Sequence, residues 1–307
     1  MVSQPTVISL FSGCGGSSLG YKWAGYKELL AIDFEKNAVD TFRLNFPEIP
    51  CWQRDIREVI GQEILDFCKI KKGDLDLLDG SPPCQGFSTA GKRKVTDPRN
   101  DLFREYVRLI NDLSPKVFVM ENVSGMAKGT MKGIFNEVLR TLRGCGYQVK
   151  CKLMNAKWYG VPQSRERVIF IGVKDGKPSF PKPTRNIITV RQAIADCPVD
   201  SPVRNILKPD RYRDAREGQP LYKTYSHAYR RLWWDRVAGT VTRGSHQIHP
   251  IEDRELSGRE ISRLASFPDT FQFIGRHQEW VDRIGNAVMP KFMEAIASHI
   301  KETILQS

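Results

Sequence analysis

The sequence predicts an α/β protein with a doubly wound, mostly parallel sheet, and two observations support this fold class. Five short apolar runs are separated by segments with helical periodicity, and strands that alternate with helices usually pair in parallel. Four of the five runs end in a polar or glycine-rich turn. In doubly wound sheets, ligands bind at the carboxyl ends of the strands.

The first apolar run, residues 6–11, leads directly into the glycine-rich stretch SGCGGSSLG. This order predicts a buried strand, a tight loop and then a helix. Four more apolar runs predict further strands at residues 28–32, 75–78, 117–120 and 168–173. The turns after these strands bring together Phe11, the glycines, Asp33, Asp55, Cys84 and Glu121 at one predicted cleft.

Amphipathic segments at residues 102–113 and 134–142 predict two of the helices between these strands. Near the carboxyl end, Pro290 occupies a position that suits a first helical turn. Apolar side chains then recur every four residues at Phe292, Ile296, Ile300 and Ile304. This stripe predicts a helix that packs on the sheet.

The composition changes after Val173, where the chain becomes rich in Pro, Arg and Lys. Residues 199–250 contain ten Lys or Arg against five Asp or Glu, with six Tyr or Trp interleaved. Basic side chains suit phosphates and aromatic ones suit bases. The alternative is a small irregular domain with an aromatic core, and we favour that packing role for Trp233 and Trp234.

The whole chain of 307 residues has a formal net charge of +12, which fits a polyanionic partner or, equally, a solvated basic surface. Its seven cysteines include no CxxC pair, which argues against a zinc site and a disulfide framework. No apolar stretch approaches the length that spans a membrane. We therefore expect a cytoplasmic protein, associated with the nucleoid if it is prokaryotic, and a monomer.

The glycine loop carries little information when taken alone. Asp33 follows Gly13 by 20 residues, a spacing that suits a carboxylate on a ribose hydroxyl, as in nicotinamide-dependent dehydrogenases. The loop has the pattern GxGGxxxG, however, and not the GxGxxG of those enzymes. A glycine turn that binds no ligand remains an alternative.

The segment GSPPCQGFS, residues 80–88, is more informative. Two prolines restrict the backbone just before Cys84, and a cysteine in a rigid polar turn suits a nucleophile better than a core position. Glu121 ends an apolar strand and suits a buried acid, although an acid at a helix N-terminus is the alternative. The charges of QSRERV, residues 163–168, could equally lie on the surface.

Taken in order, FSGCGG, SPPCQGFS, ENV, QSRERV and IGNAVMP resemble the motifs of cytosine-C5 DNA methyltransferases. The motifs extend from the first strand to residue 290, and residues 255–273 resemble a further block of that family. The resemblance implies a Rossmann-like methyltransferase fold and transfer of a methyl group from S-adenosylmethionine, with S-adenosylhomocysteine as product and no metal.

The resemblance also implies which residues hold S-adenosylmethionine. Asp33 would bind the ribose, where most family members have Glu, and Phe34 would face the adenine. Asn286 and Val288 would close the pocket near the methionine part. The complete implied set is Phe11, Gly13, Gly15, Gly16, Asp33, Phe34, Asp55, Ile56, Pro83, Asn286 and Val288.

For catalysis, the resemblance implies that Cys84 adds to carbon 6 of cytosine and that Glu121 hydrogen-bonds N3 and the exocyclic amine. Arg165 would contact O2, and Arg167 would orient Glu121 or the loop. The target base must leave the duplex to reach these groups, and the loop over residues 86–100 would close over it. The sequence names no base for the carbon 5 proton; water is one option.

The implied partner is double-stranded DNA, and a cognate restriction endonuclease is a further partner that the resemblance suggests. We expect a catalytic domain at residues 1–178 plus 280–307 and a small target-recognition domain at residues 179–279. Because this stretch is short, we expect a short or loosely specified recognition site.

Three rival functions remain at this stage. A tRNA cytosine-C5 methyltransferase of the same architecture is the nearest, although the Cys-Phe-Thr tripeptide associated with that branch does not occur. A catalytically inactive DNA-binding module is less consistent with the presence of both Cys84 and Glu121. A dehydrogenase would require NAD binding.

Overall fold

The computed structural model of the chain describes residues 4–83, 100–127, 132–201, 203, 229–244 and 246–306. Two compact units are present. Unit 1 comprises Met1–Met154, Glu166–Lys182 and Met293–Ser307, and unit 2 comprises Asn155–Arg165 and Pro183–Phe292. The predicted target-recognition domain at residues 179–279 stays a prediction.

Unit 1 contains a seven-stranded sheet with the order β3-β2-β1-β4-β5-β7-β6. Strands β3, β2, β1, β4 and β5 pair in parallel, and β7 is antiparallel to β5. The strands are β1 Thr6–Leu10, β2 Lys27–Asp33, β3 Cys51–Gln53, β4 Leu77–Gly80, β5 Val117–Val123, β6 Gln148–Asn155 and β7 Glu166–Val173. The mostly parallel α/β fold predicted from the sequence is therefore confirmed.

Helices alternate with these strands, as the sequence predicts. They are α1 Gly16–Trp23, α2 Lys36–Asn45, α3 Gly61–Cys68, α4 Asn100–Leu113 and α5 Lys132–Gly144. A carboxyl-terminal helix covers Pro290–Ile300 and continues as a π-helical turn over Lys301–Leu305. Its predicted apolar stripe is buried at Phe292, Ile296 and Ile300, which confirms that it packs against the protein.

One face of the sheet in unit 1 forms a continuous apolar core. Alternate residues of the central strands point into it, for example Ile8 and Leu10 of β1 and Phe118 of β5. On this face Tyr106 of α4 packs edge-on against Phe118, with ring centroids 6.4 Å apart. The Tyr106 hydroxyl donates to the Val119 carbonyl at 2.9 Å, so the helix is fixed to the sheet beside the carboxyl ends of β4 and β5.

Unit 2 has little regular structure in its described part. It contains the short helices α6 Val190–Ile194, α7 Gly258–Leu264 and α8 His277–Asn286, and only the first three residues of the carboxyl-terminal helix, whose remainder belongs to unit 1. Strands β8 Tyr229–Arg231 and β9 His246–Ile248 form a two-stranded parallel sheet. A buried group of charged side chains, Arg254, Glu255 and Glu260, lies beside these elements.

In the described residues, no helix is long and apolar enough to cross a membrane.

Candidate active site

An open cleft lies at the carboxyl ends of β1 and β2 in unit 1. The predicted cofactor residues Phe11, Asp33, Phe34, Asp55, Ile56 and Pro83 all line it. Four further residues that the sequence did not single out complete the lining: Ile32, Arg54, Arg57 and Leu102. The charged pair could have been suspected from the RDIR stretch, whereas Leu102 is distant in sequence and carries no motif.

The backbone between β1 and α1 has a conformation that glycine favours. Gly13 and Gly15 have φ angles of +56° and +95°, and a Cβ at Gly15 would lie 2.4 Å from the Phe46 ring. Phe11 also has a positive φ, +56°, which is uncommon for a bulky residue and is a form of strain often found at ligand sites. Gly15 therefore provides close helix packing, while Gly13 faces open space.

The Asp33 carboxylate fastens the glycine loop to the end of β2. Its Oδ2 accepts a hydrogen bond from the Gly13 backbone N–H at 2.8 Å, and its Oδ1 accepts from the Glu35 N–H at 2.9 Å. Each oxygen of an ionised carboxylate has two lone pairs, so these bonds are compatible with a ribose contact. The structure thus gives Asp33 a role in shaping the loop that the sequence did not predict.

Asp55 is held by the neighbouring arginine. The Arg57 guanidinium donates to both oxygens of Asp55, with Nη2 2.5 Å from Oδ2, and the Arg57 backbone N–H donates to Oδ1. These hydrogen bonds lower the pKa of Asp55. The side chain is therefore ionised and oriented at the edge of the cleft.

Phe34 exposes 69% of its surface beside this cleft. Exposed aromatic side chains at the rim of a pocket can stack on a planar ring. Ile56, buried beneath the same cleft, adds an apolar surface. The arrangement suits a flat heteroaromatic group with polar atoms at its edge.

Glu121 and Arg167 form a buried ion pair at the ends of β5 and β7. The Arg167 Nε lies 2.5 Å from Glu121 Oε1, and both side chains are nearly buried. The antiparallel register pairs Glu121 with Ile169 and Val123 with Arg167, so the two charged side chains emerge on the same face. The ion pair restrains the Glu121 carboxylate, and the roles in catalysis that the resemblance implies for both residues stay predictions.

Asn122 is a site residue to which the sequence analysis gave no role. It is buried, and its Nδ2 donates to the Pro82 carbonyl at 3.0 Å. Pro82 precedes Pro83 and Cys84 in the chain, so this bond holds the start of the SPPC segment against β5. Cys84 itself, and residues 86–99 of the predicted closing loop, lie outside the described residues; residue 100 begins α4.

Arg165 has partners other than the predicted base. It is buried in unit 2, where Nη1 donates to the Val241 carbonyl at 2.8 Å and Nη2 donates to the carbonyls of Gly285 and Ala287 at 2.8 and 3.0 Å. These bonds connect three separate backbone segments of the unit. Its contact with cytosine O2 stays a prediction.

The last two predicted cofactor residues, Asn286 and Val288, also belong to unit 2. Asn286 is exposed at the end of α8, and Val288 is buried. Their proposed contact with the cofactor stays a prediction. Among the described residues, no group of three or more His, Cys, Asp or Glu side chains could hold a metal ion.

Comparison with known proteins identifies the family. The model of the C-5 cytosine-specific DNA methylase family matches residues 5–234 and 211–302. The Type II methyltransferase M1.HphI of Haemophilus parahaemolyticus is 36% identical over 322 residues, which cover 96% of this chain and 86% of that protein. The Type II methyltransferase M.NgoPII of Neisseria gonorrhoeae is 32% identical, covering 97% of this chain and 96% of that protein.

Solved structures agree with this result. A candidate DNA modification methyltransferase encoded within a prophage (E. coli) superposes with a TM-score of 0.84 at 27% identity, covering 99% of this chain and all of that one. The Dnmt2 methyltransferase of S. pombe has a TM-score of 0.70 at 19% identity, covering 97% and 99%, which shows the shared fold. The chain therefore belongs to the C-5 cytosine-specific DNA methylase family, as its motifs predicted, and is a DNA cytosine methyltransferase.

Proposed function

We propose that this protein transfers a methyl group from S-adenosylmethionine to carbon 5 of a cytosine flipped out of double-stranded DNA, through a covalent adduct with Cys84. The observation that carries the proposal is the Asn122–Pro82 hydrogen bond. It ties the segment that leads into Cys84 to the strand that carries Glu121, so the nucleophile and the acid can reach the same base.

The cleft of unit 1 fits S-adenosylmethionine. Phe34 provides an exposed face for the adenine, the Asp55 carboxylate can accept from its amine, and Asp33 can accept from the ribose hydroxyls. Gly13 leaves open space beside the loop. When bound, this group supplies an electrophilic methyl on a sulfonium. The residues that line the cleft would hold and orient it.

Carbon 5 of cytosine is a poor nucleophile, and the proposed chemistry activates it. The Cys84 thiolate forms a bond to carbon 6, and the ring electrons move toward N3. Glu121 would form hydrogen bonds with N3 and the exocyclic amine, which stabilises the activated ring. After carbon 5 gains its methyl group, loss of the carbon 5 proton to a base or water returns the electron pair, and the bond to Cys84 breaks.

A base within a duplex is out of reach of these groups, so flipping is required. We assign target recognition to the proposed domain at residues 179–279, with its excess of basic side chains. The relatives are named Type II methyltransferases, which supports a cognate restriction endonuclease as a partner that acts on the same site.

A trapped adduct tests the covalent step. Fluorine at carbon 5 of cytosine cannot leave as a cation, so a duplex with 5-fluorocytosine at the target site should leave the methylated base attached to Cys84. We expect a denaturation-resistant complex that requires S-adenosylmethionine. Cys84→Ser should abolish it, and Cys145→Ser should not, because that half-buried thiol follows α5 and donates to the Thr141 carbonyl.

The same assay separates the rival substrate. Duplex DNA and tRNA offered side by side should show transfer to DNA only. A complex that forms equally with Cys84→Ser would contradict the covalent mechanism, and transfer to tRNA alone would favour the alternative substrate.

A further inference from the structure

Arg57 is a residue of the cofactor cleft to which neither the motifs nor the proposed chemistry gives a role. Its side chain lines the cleft together with Asp55 and Phe34. It belongs to a short 3₁₀ turn, Ile56–Glu58, that follows β3, and Asp55 directly precedes this turn. The Arg57 guanidinium and the Asp55 carboxylate are therefore neighbours at the edge of the cleft.

The hydrogen bonds of this pair leave the Asp55 carboxylate with little capacity for another donor. The Arg57 Nε donates to both carboxylate oxygens, at 3.0 and 3.1 Å, and Nη2 donates to Oδ2 at 2.5 Å. The Arg57 backbone N–H donates to Oδ1 at 3.0 Å. Three N–H groups thus occupy a carboxylate that has about four acceptor positions. Room remains for one further N–H group.

A purely structural role does not account for the guanidinium contact. The pair is open to solvent, with 54% of the Arg57 side chain and 28% of the Asp55 side chain exposed, and such ion pairs contribute little to the free energy of unfolding. The 3₁₀ turn is capped by the bond from the Arg57 backbone N–H to Asp55, which does not require the Arg57 side chain. The guanidinium instead fixes the direction in which Asp55 presents its remaining acceptor.

We propose that Arg57 is a positioning residue that makes the cleft selective for purines with a 6-amino group. The inference rests on the proposed binding of S-adenosylmethionine, in which Asp55 accepts from the adenine amine. An ionised carboxylate only accepts hydrogen bonds, so an exocyclic amine satisfies it and a purine without that amine leaves it unpaired. Because Arg57 holds the carboxylate in place before the cofactor binds, little binding free energy is lost in ordering it.

Arg54 lines the same cleft but has other partners. Its Nη1 donates to Glu63 Oε2 at 3.0 Å, and its Nη2 donates to the Glu58 carbonyl at 2.8 Å. Among the described residues, Arg54 forms no hydrogen bond with Asp55. It therefore places the same charge as Arg57 on the cleft without holding the carboxylate, which makes it a matched control.

The test compares the binding of two ligands by calorimetric titration, without DNA and without turnover. One ligand is S-adenosylhomocysteine, and the other is its 6-deamino analogue, which carries hydrogen in place of the adenine amine. We define the amine selectivity as the ratio of the two dissociation constants. The wild type should bind S-adenosylhomocysteine about tenfold more tightly, as expected for a hydrogen bond to a charged group.

Arg57→Ala should lower the amine selectivity by about three- to fivefold, because the released Asp55 side chain must then be ordered on binding. Affinity for the deamino analogue should hardly change. Arg57→Lys should restore only part of the selectivity, since one ammonium group does not replace a two-point contact. Arg54→Ala should leave the amine selectivity at the wild-type value. Urea denaturation checks that each variant is folded.

The outcomes separate this inference from the proposed function. If Asp55→Ala loses the amine selectivity and Arg57→Ala keeps it, Arg57 has no such role and the proposed cofactor site stands. If Arg54→Ala lowers the selectivity as much as Arg57→Ala, the effect comes from net charge, which overturns the inference. If the wild type shows no selectivity, or Asp55→Ala keeps it, the assignment of the adenine amine to Asp55 fails, and with it the basis for a role of Arg57.

Discussion

Buried acids in the two units differ in whether a cation pairs with them. In unit 2, Glu260 is buried and accepts hydrogen bonds from both terminal nitrogens of Arg254, at 2.7 and 2.8 Å, and from the Ser257 backbone N–H at 2.7 Å. In unit 1, Asp79 and Glu28 form no ion pair with a described residue, and burial raises the pKa of both.

Buried acids that are paired with an arginine and buried acids without a cation suit different roles. A buried acid that meets a fixed arginine stays ionised and connects segments that have little regular structure. A buried acid without a cation changes its charge near neutral pH, which suits the neighbourhood of a proton-handling site. Glu121 lies between these cases, since it has both Arg167 beside it and Asp79 on its own face.

Removing the cation of unit 2 should have the largest effect. Arg254→Ala leaves Glu260 buried without its partner, so we expect the free energy of unfolding to fall by about 3–5 kcal/mol. Urea denaturation measures the loss. Arg276→Ala is the matched control, because that side chain is 96% exposed. If Arg254→Ala and Arg276→Ala lower the free energy of unfolding by the same small amount, the buried network does not stabilise the unit.

The uncompensated acids of unit 1 predict a pH dependence of stability. Asp79 and Glu28 have pKa values of about 7 and about 8 in the folded protein, above their unfolded values, so the folded state binds more protons between about pH 4 and pH 8. Below about pH 4 the two acids are protonated and do not destabilise the folded protein. The free energy of unfolding should decrease as the pH rises from about 4 to about 8.

The variants Asp79→Asn and Glu28→Gln, which replace each acid by a neutral amide, test this pH dependence. At about pH 8.5 the free energy of unfolding of each variant should exceed that of the wild type by roughly 2–4 kcal/mol. This difference should vanish near pH 4. Denaturant titrations at both pH values measure it. If the difference in free energy of unfolding between each variant and the wild type is the same at both pH values, the raised pKa values are contradicted.

Loss of a hydrogen bond between uncharged groups should have a smaller effect than substitution of a buried charged residue. Asn122→Ala removes the donor to the Pro82 carbonyl, and an unsatisfied buried group costs about 1–3 kcal/mol. We expect slower methyl transfer with unchanged S-adenosylmethionine affinity, because the bond positions the segment before Cys84. Single-turnover rates and a binding titration distinguish the two, and a loss of affinity alone would contradict this role.

The smallest effect is expected at the exposed rim of the cleft. Phe34→Ala should weaken S-adenosylmethionine binding by about 1–2 kcal/mol, in the lower part of the range for a base–aromatic stacking contact. Stability should hardly change, because Phe34 is 69% exposed. Calorimetric titration measures the affinity, and unfolding provides the control.

The five predicted strands are present because each is an apolar run long enough to be buried on both faces. Strands β3 and β6 were not predicted. β3 has only three residues, and β6 alternates lysines with buried residues at the sheet edge. Edge strands need less apolar surface, so their sequence signal is weak.

The site was predictable where a motif ends a strand. Phe11, Asp33 and Phe34 line the cleft for this reason, whereas Asp55 follows β3, which was not predicted. The partners of Arg165 were not predictable, because they are backbone carbonyls about 75 to 120 residues away in the chain. Asp79 was overlooked because an acid within an apolar run resembles a strand end, and its burial depends on α1.

Detection of 5-methylcytosine tests the central claim most directly. Purified protein is incubated with duplex DNA and S-adenosylmethionine, and the DNA is then digested to nucleosides and analysed by mass spectrometry. The account predicts 5-methyldeoxycytidine with the wild type and none with Cys84→Ser or Glu121→Gln. Methylation on the exocyclic amine of cytosine, or unchanged 5-methyldeoxycytidine with Cys84→Ser, would contradict it.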